Sequence, residues 1–318
     1  YMDLAKLIKE KSEVFENTEN YLGIECVLNH IDVAEKHLVN GRGGNDYLFN
    51  DVIYRANQAF EGALKEAYVV LTGESVGRKT PNDIEKYLEN NDLLKERVLD
   101  LFSNYRKEWR NKSTHDYKLY FSEQEAFLAI VNIYAFFNIL LDQMISKYAK
   151  DKEEKEAQAY VEELRSSSDL TLYEQAIVVL KAYCKELPKI QRGKEYRFLE
   201  AEVLGSLHGF FSAVAPDINL LVEPVFKIGN GRTLRPDLIL EKNHEKVVLE
   251  LKSPRANPGN FTNAGREQLL TYMRATNINQ GILFIASLSE SAEVNVCQRQ
   301  HETNGIKQYI TEVFSNEA

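Results

Sequence analysis

The sequence predicts two domains in series, an all-α helical bundle followed by an α+β core whose mixed central sheet is flanked by helices. Three observations predict it. At 318 residues the chain can hold two domains of ordinary size. Residues 1–150 carry helical periodicity with almost no β-branched alternation, while short β-prone runs begin near Leu220. Between the halves, residues 151–168 are charged and then Ser-rich, with six acids against three bases from Lys150 to Glu163. The expected division is therefore a helical domain over 1–150, an exposed helical linker ending in a turn over 151–168, and a second domain over 169–318.

The first half reads as helix after helix. Asp3–Phe15 is short and amphipathic, Glu19–Val39 ends at the loop NGRGGN, and Tyr47–Leu71 is long and stops at Thr72-Gly73. Thr80 is placed as an N-cap with Pro81 at the first helical position. A helix from about Asp92 runs towards Trp109. Ser122 and Glu125 have capping-box spacing before the apolar helix Glu123–Tyr148, expected to be the domain's central or dimerising helix.

In the second half, Leu170–Leu187 is an amphipathic helix that either starts the second domain or bridges the two. The helix Glu195–Phe211 carries Glu200, Val203, Leu204, Leu207 and Phe211 on one stripe. A strand near Leu220–Phe226 precedes two β-prone runs, Leu238–Leu240 and Val247–Leu251, joined by the turn-like EKNHEK as in a hairpin. A helix through Gln268 and Tyr272, a strand over Gly281–Ala286 and a last helix-like segment complete the order. Ile306–Phe314 reads as an edge strand or a short helix.

Composition narrows the setting. The longest apolar stretch, Phe127–Leu141, is broken by Asn132 and Asn138 and falls short of the roughly 20 residues a membrane span needs. The N-terminus shows no basic-then-apolar leader, and Tyr1 before Met2 reads as a tag remnant. Cys26, Cys184 and Cys297 are odd in number and far apart, which argues against a disulfide framework or zinc knuckle and fits a reducing cytoplasm. His208, His244 and His301 lack ligand spacing. No phosphate-cradling Walker loop occurs, which excludes a helicase-type motor in this chain.

A net charge of −9 opposes coating of nucleic acid, so contact with it must come from local fields. Two such fields are visible. Residues 252–274 hold four basic residues (Lys252, Arg255, Arg266, Arg274) against Glu267 alone, and residues 104–118 hold five against two.

The chemistry-bearing stretch runs from Arg235 to Tyr272. Strand alternation puts Glu250 and Lys252 on one face with Val248, while Leu249 and Leu251 point the other way. Asp237, at the start of the first run, lies beside Glu250 across the hairpin, so two carboxylates converge where a hard divalent cation fits. Mg²⁺, with Mn²⁺ as the alternative, takes one or two carboxylates and fills its octahedron with water and phosphate oxygens. Lys252 beside it orients or deprotonates the attacking water and stabilises charge on a scissile phosphate.

Pro236-Asp237 followed by Glu250-Leu251-Lys252 resembles the signature of the PD-(D/E)XK nuclease superfamily, and ELKSP resembles the nuclease domains of type I restriction enzymes. Gln268 and Tyr272, four apart on one helical face, match the accessory Q-x-x-x-Y motif of some branches. The resemblance implies a restriction-endonuclease-like core and a further metal-site carboxylate from the upstream helix. Glu200 is taken for that role, with Glu202 and Glu195 as alternatives.

In the first half, WRNKSTHDY separates the last two long helices. Arg110 and His115 are five residues apart, about 140° on a continuous helix, so a bend is needed to bring them together. Asn111, Ser113 and Thr114 favour that bend because their side chains compete for backbone groups. A cation and an imidazole at one spot suit metal-free RNA cleavage, in which His115 moves a proton and Arg110 neutralises the phosphorane. The bundle with Arg110-Asn111-x-x-x-His115 resembles the HEPN superfamily. That implies a homodimer with facing motifs, Asn111 as a site residue and products ending in a 2′,3′-cyclic phosphate. Asn111 is equally suited to a helix C-cap, and Glu61 on the third helix is a further candidate acid.

The resulting expectation is a dual nuclease of the antiviral defence type. It cuts DNA with Mg²⁺ in the second domain and RNA without metal in the first, as a cytoplasmic homodimer with a partner protein from the same defence system. Its rivals are a single-activity nuclease with the helical half as scaffold, and a sensor that binds nucleic acid without cutting.

Overall fold

The computed structural model describes residues 3–110, 120–187, 199–229, 231–253, 258–286, 294–303 and 306–314. The chain divides into two compact units, Tyr1–Tyr148 and Ala149–Ala318. The first is helical; the second is a mixed sheet with helices.

In the first unit, α1 (Leu4–Ser12) is capped by Asp3, whose carboxylate accepts from the Lys6 amide at 3.0 Å. Helices α2 (Tyr21–Arg42) and α3 (Leu48–Thr72) follow, and α3 stops at Gly73, whose φ of 73° is left-handed and favours glycine. Thr80 caps α4 (Pro81–Asn90) in a reciprocal box with Asp83. The expected helix towards Trp109 is α5 (Glu96–Tyr105), which widens into a π-helical turn over Arg106–Arg110. Ser122 and Glu125 form the expected box, with Ser122 donating to Glu125 from N and from Oγ at 2.8 Å each. Helix α6 (Glu123–Glu156) then runs past the unit boundary.

Phe60 centres the first core. Its ring lies 4.6 Å from Tyr105, 5.0 Å from Phe136 and 5.6 Å from Phe102, tying α3, α5 and α6 together. The stretch Glu123–Asp169 is long and apolar enough to cross a membrane, and 61% of its apolar window is buried within the fold, as in a core helix. Asn138, which interrupts that apolar run, accepts from buried Lys11 at 2.7 Å beside the 2.6 Å Lys11–Asp142 ion pair.

In the second unit, α7 (Leu172–Tyr183) starts at a Thr171–Glu174 capping box and α8 (Glu200–Val214) follows. The sheet has the order β1-β4-β5-β6-β8-β7. Its strands are β1 (Asn219–Val222), β4 (Leu238–Lys242), β5 (Glu245–Lys252), β6 (Gln280–Ile285), β7 (Asn295–Thr303) and β8 (Ile306–Phe314). Strands β5, β6 and β8 are mutually parallel and the remaining pairs antiparallel. The strand expected over Leu220–Phe226 is divided between β1 and β2 (Phe226–Ile228), which pairs with β3 (Arg232–Leu234) in a separate ribbon. Helix α9 (Pro258–Thr276) packs on one face through Leu269, Leu270 and Met273, against Ile239, Val248, Leu283 and Ile285. Helices α7 and α8 cover the other face, against Leu249, Leu251, Ile282 and Phe284.

Three expectations need correction. Ile306–Phe314 is neither an edge strand nor a helix. It lies inside the sheet between β6 and β7, because its buried Ile310 and Val313 fit one face each. The last helix-like segment is the antiparallel pair β7–β8. Residues 151–168 are not an exposed linker: Ala157 and Leu164 are buried in the second unit's core, and Ser206 Oγ of α8 donates to Glu153 at 2.9 Å.

Gly209 shows how tightly that segment packs. A Cβ there would come within 2.3 Å of the Lys150 carbonyl oxygen and 3.0 Å of the Glu154 amide nitrogen. Gly209→Ala is expected to cost the second unit about 1–3 kcal/mol, as overpacking against backbone does, measured by urea unfolding. An unchanged midpoint would mean that the helices separate freely.

Candidate active site

The β4–β5 register sets the geometry. Leu238 faces Leu249, and one step on, past the end of the ladder, Asp237 comes opposite Glu250 on the same face. The chain is held there at both ends: the Leu251 N–H donates to Asp237 Oδ2 at 2.7 Å, and the Glu223 N–H donates to the Asp237 carbonyl at 2.8 Å. Val248, Glu250 and Lys252 share the α9 face, and Leu249 and Leu251 the opposite face, as alternation predicts. The parallel neighbour β6 fixes the far end of β5, where the Ala286 N–H donates to the Lys252 carbonyl at 2.8 Å.

Glu250 is only 1% exposed. Its Oε1 accepts from Lys252 Nζ at 2.6 Å, while Oε2 is buried with no hydrogen-bond partner among the described residues. Burial, then the facing Glu250 charge, pushes the Asp237 carboxyl well above the usual carboxylate range. Burial also raises Glu250, against the pull of Lys252. Burial alone would lower Lys252, but the Glu250 charge and hydrogen bond, then Asp237 and Glu200, outweigh it and hold the ammonium protonated. Lys252 is therefore a cation that donates to Glu250.

Glu200 is exposed at the first turn of α8, and its charge raises both Asp237 and Glu250. The alternative Glu202 is buried, and Glu195 lies outside the described residues. Gln268 and Tyr272 meet as expected: Gln268 Nε2 donates to the Tyr272 oxygen at 2.7 Å. Burial keeps the phenol protonated, with the Glu250 and Asp237 charges adding to it. Its hydroxyl hydrogen remains a donor.

Sequence reasoning passed over Gly265 of α9. A Cβ there would approach Leu283 Cδ1 at 3.0 Å and Lys252 Cγ at 3.2 Å, so the missing side chain lets the helix lie against the Lys252 stem. A glycine inside a predicted helix was the available signal.

No family model, curated protein or solved structure matches this chain. The case for its chemistry rests on the residues themselves. Two facing carboxylates, one with an orphaned buried oxygen, and a single neutralising ammonium leave the site short of positive charge. That shortage fits a divalent cation held by Asp237 and Glu250, with Glu200 near enough to contribute charge. No group of three His, Cys, Asp or Glu side chains suited to a metal is found among the described residues. The fit thus rests on the pair.

In the first unit, Arg110 ends the π-helical turn, a local widening often found at functional positions. Its guanidinium lies 3.7 Å from Glu61 and 3.8 Å from Glu85, and Arg106 reaches Glu85 at 3.5 Å and Glu89 at 3.6 Å. Glu85 is 1% exposed; burial raises its carboxyl, with Arg110 and Arg106 pulling it back. Asn111 and His115 lie outside the described residues.

Proposed function

We propose that the second unit hydrolyses phosphodiester bonds of DNA with a divalent cation, Mg²⁺ or Mn²⁺. The observation that carries this reading is the buried Asp237–Glu250 pair beside a protonated Lys252. A bound cation would supply Lewis acidity at the scissile phosphate. Asp237 and Glu250 would hold it as carboxylates, so binding would release any proton they carry. Lys252 keeps its proton and donates towards a phosphate oxygen where negative charge grows in the transition state. The Tyr272 hydroxyl, oriented by Gln268, is a second donor at the same face. This arrangement is in keeping with the PD-(D/E)XK resemblance, including its restriction-endonuclease-like core.

For the first unit the proposal is metal-free RNA cleavage by Arg110, Asn111 and His115 in a HEPN-like homodimer. The whole would be a cytoplasmic defence effector acting on nucleic acid with a partner protein. A second reading is favoured by the Glu61 and Glu85 ion pairs, which give Arg110 a structural job and leave the helical unit a dimerisation scaffold.

Labelled single-stranded RNA and duplex DNA, each with Mg²⁺ and with excess EDTA, test these readings. Metal-dependent DNA cutting together with EDTA-resistant RNA cutting is the expected result. Arg110→Ala should then lower the EDTA-resistant activity by at least about 10²-fold, the weight of one general acid–base or charge-stabilising group, and spare DNA cutting. Loss of every activity in EDTA would reduce the helical unit to a scaffold. A protein that binds both substrates and cuts neither would be the non-cleaving sensor.

A further inference from the structure

The registers of β5, β6, β8 and β7 place Glu250, Leu283, Glu312 and Cys297 in one row across the sheet, on the face covered by α9. Two strand spacings, about 10 Å, separate the Glu250 and Glu312 backbones. Glu312 is 1% exposed and carries two guanidiniums. Arg266 of α9 approaches its Oε1 through Nε and NH2 at 2.5 Å each, and Arg299 of β7 donates from Nε to Oε2 at 3.3 Å. Arg266 NH1 also donates to Asn263 at 3.1 Å.

One carboxylate under two guanidiniums leaves a net charge of +1 beside a catalytic pair that is short of positive charge. A structural role alone accounts poorly for it, because a buried ion-paired cluster rarely stabilises more than apolar residues of the same size. The outward geometry is that of a receptor. Arg299 spends only Nε on Glu312 and is 48% exposed, so its two terminal nitrogens face outwards with four N–H donors and no partner among the described residues. Arg266 is 18% exposed, and Glu312 with Asn263 fixes its plane. Planar forks held in place from behind suit the paired oxygens of a phosphate.

We propose that Arg266 and Arg299, anchored on Glu312, form a backbone-phosphate subsite that seats the nucleic-acid strand beside the Asp237–Glu250 centre. The inference rests on the nuclease reading of that centre. Duplex DNA has one phosphate per about 3.4 Å of axis on each strand, so the held phosphate lies within about three nucleotides of the scissile one. The ligand is the phosphodiester backbone, which DNA and RNA share, and neither guanidinium reads sequence.

The test uses the full chain and its Arg266→Gln, Arg299→Gln and doubly substituted forms. Binding to a labelled DNA duplex and to 2′-O-methyl RNA, which lacks the 2′-hydroxyl nucleophile, is measured in EDTA from 50 to 200 mM salt. The doubly substituted form should lower the slope of log K against log salt by about 0.9 on the duplex and about 0.7 on the single strand, the weight of the one phosphate held, and each single substitution by part of that. In Mg²⁺-dependent cleavage KM should rise with kcat held, as loss of uniform binding requires, and thermal unfolding reports whether each form is folded. The arm that loses slope identifies the strand held. Wild-type binding with an unchanged slope in the folded double variant overturns the subsite and leaves the nuclease reading standing. A wild type that neither binds nor cuts overturns both.

Discussion

Asp237→Asn is expected to abolish Mg²⁺-dependent cleavage, by about 10³-fold or more, while making the metal-free second unit more stable at neutral pH. The two effects share one cause. Asp237 and Glu250 face each other at the end of the β4–β5 hairpin, where burial holds both carboxyls above their ordinary range, the Glu250 charge adds to Asp237, and the Glu200 charge adds to both. Folding thus raises their affinity for protons. In the window between the ordinary carboxylate pKa and the raised ones the native state binds more protons than the unfolded chain, so stability falls as pH rises. Asparagine removes one of the repelling charges and still accepts the Leu251 N–H through its carbonyl oxygen. The gain is read as a higher midpoint of urea unfolding in EDTA at pH 7.5. The wild type should lose stability from pH 5 to 8 and recover it with Mg²⁺, whereas the variant, which keeps only the raised Glu250, should lose less over that range and recover little. A wild-type midpoint that rises over that range would refute the buried pair as described.

Lys252→Met should lower the same cleavage by about 10²–10⁴-fold and leave EDTA-resistant RNA cleavage intact. Methionine preserves the stem that lies under Gly265 and removes only the ammonium. The ammonium meets Glu250 at 2.6 Å, so its loss leaves that buried carboxylate without its cation and pushes its proton affinity higher still. Cleavage should therefore fall at every pH, with the residual activity shifted towards alkaline conditions. A variant that keeps full DNA cutting would remove Lys252 from the mechanism. Loss of RNA cutting as well would sink the assignment of two separate sites.

Much of the local framework is legible in the chain because its causes are local. The capping boxes at Thr80, Ser122 and Thr171 lie three residues from their partners, and Gln268 meets Tyr272 one helical turn away. The Thr171 cap is hidden from periodicity alone, because the apolar pattern of its helix begins one residue earlier, at Leu170. Where the partner lies across the sheet, the sequence offers less. Arg266 was visible as one member of a basic stretch, but its partner Glu312 sits in a segment that read as either edge strand or helix, and Arg299 comes from a strand not foreseen at all.

By itself the sequence determined which residues alternate: the period of two in VVLELK sends Glu250 and Lys252 to one face and Leu249 and Leu251 to the other, whatever the strand pairs with. Tertiary structure alone decided what that face becomes. The β4–β5 register sets Asp237 against Glu250, the β6 and β8 registers extend the row to Glu312, and Gly265 lets α9 press on Lys252. The physical reason is range. Alternation is fixed by bonds within a strand, whereas register and burial are fixed by contacts between residues dozens of positions apart, and only burial turns two ordinary carboxylates into a pair with raised proton affinity.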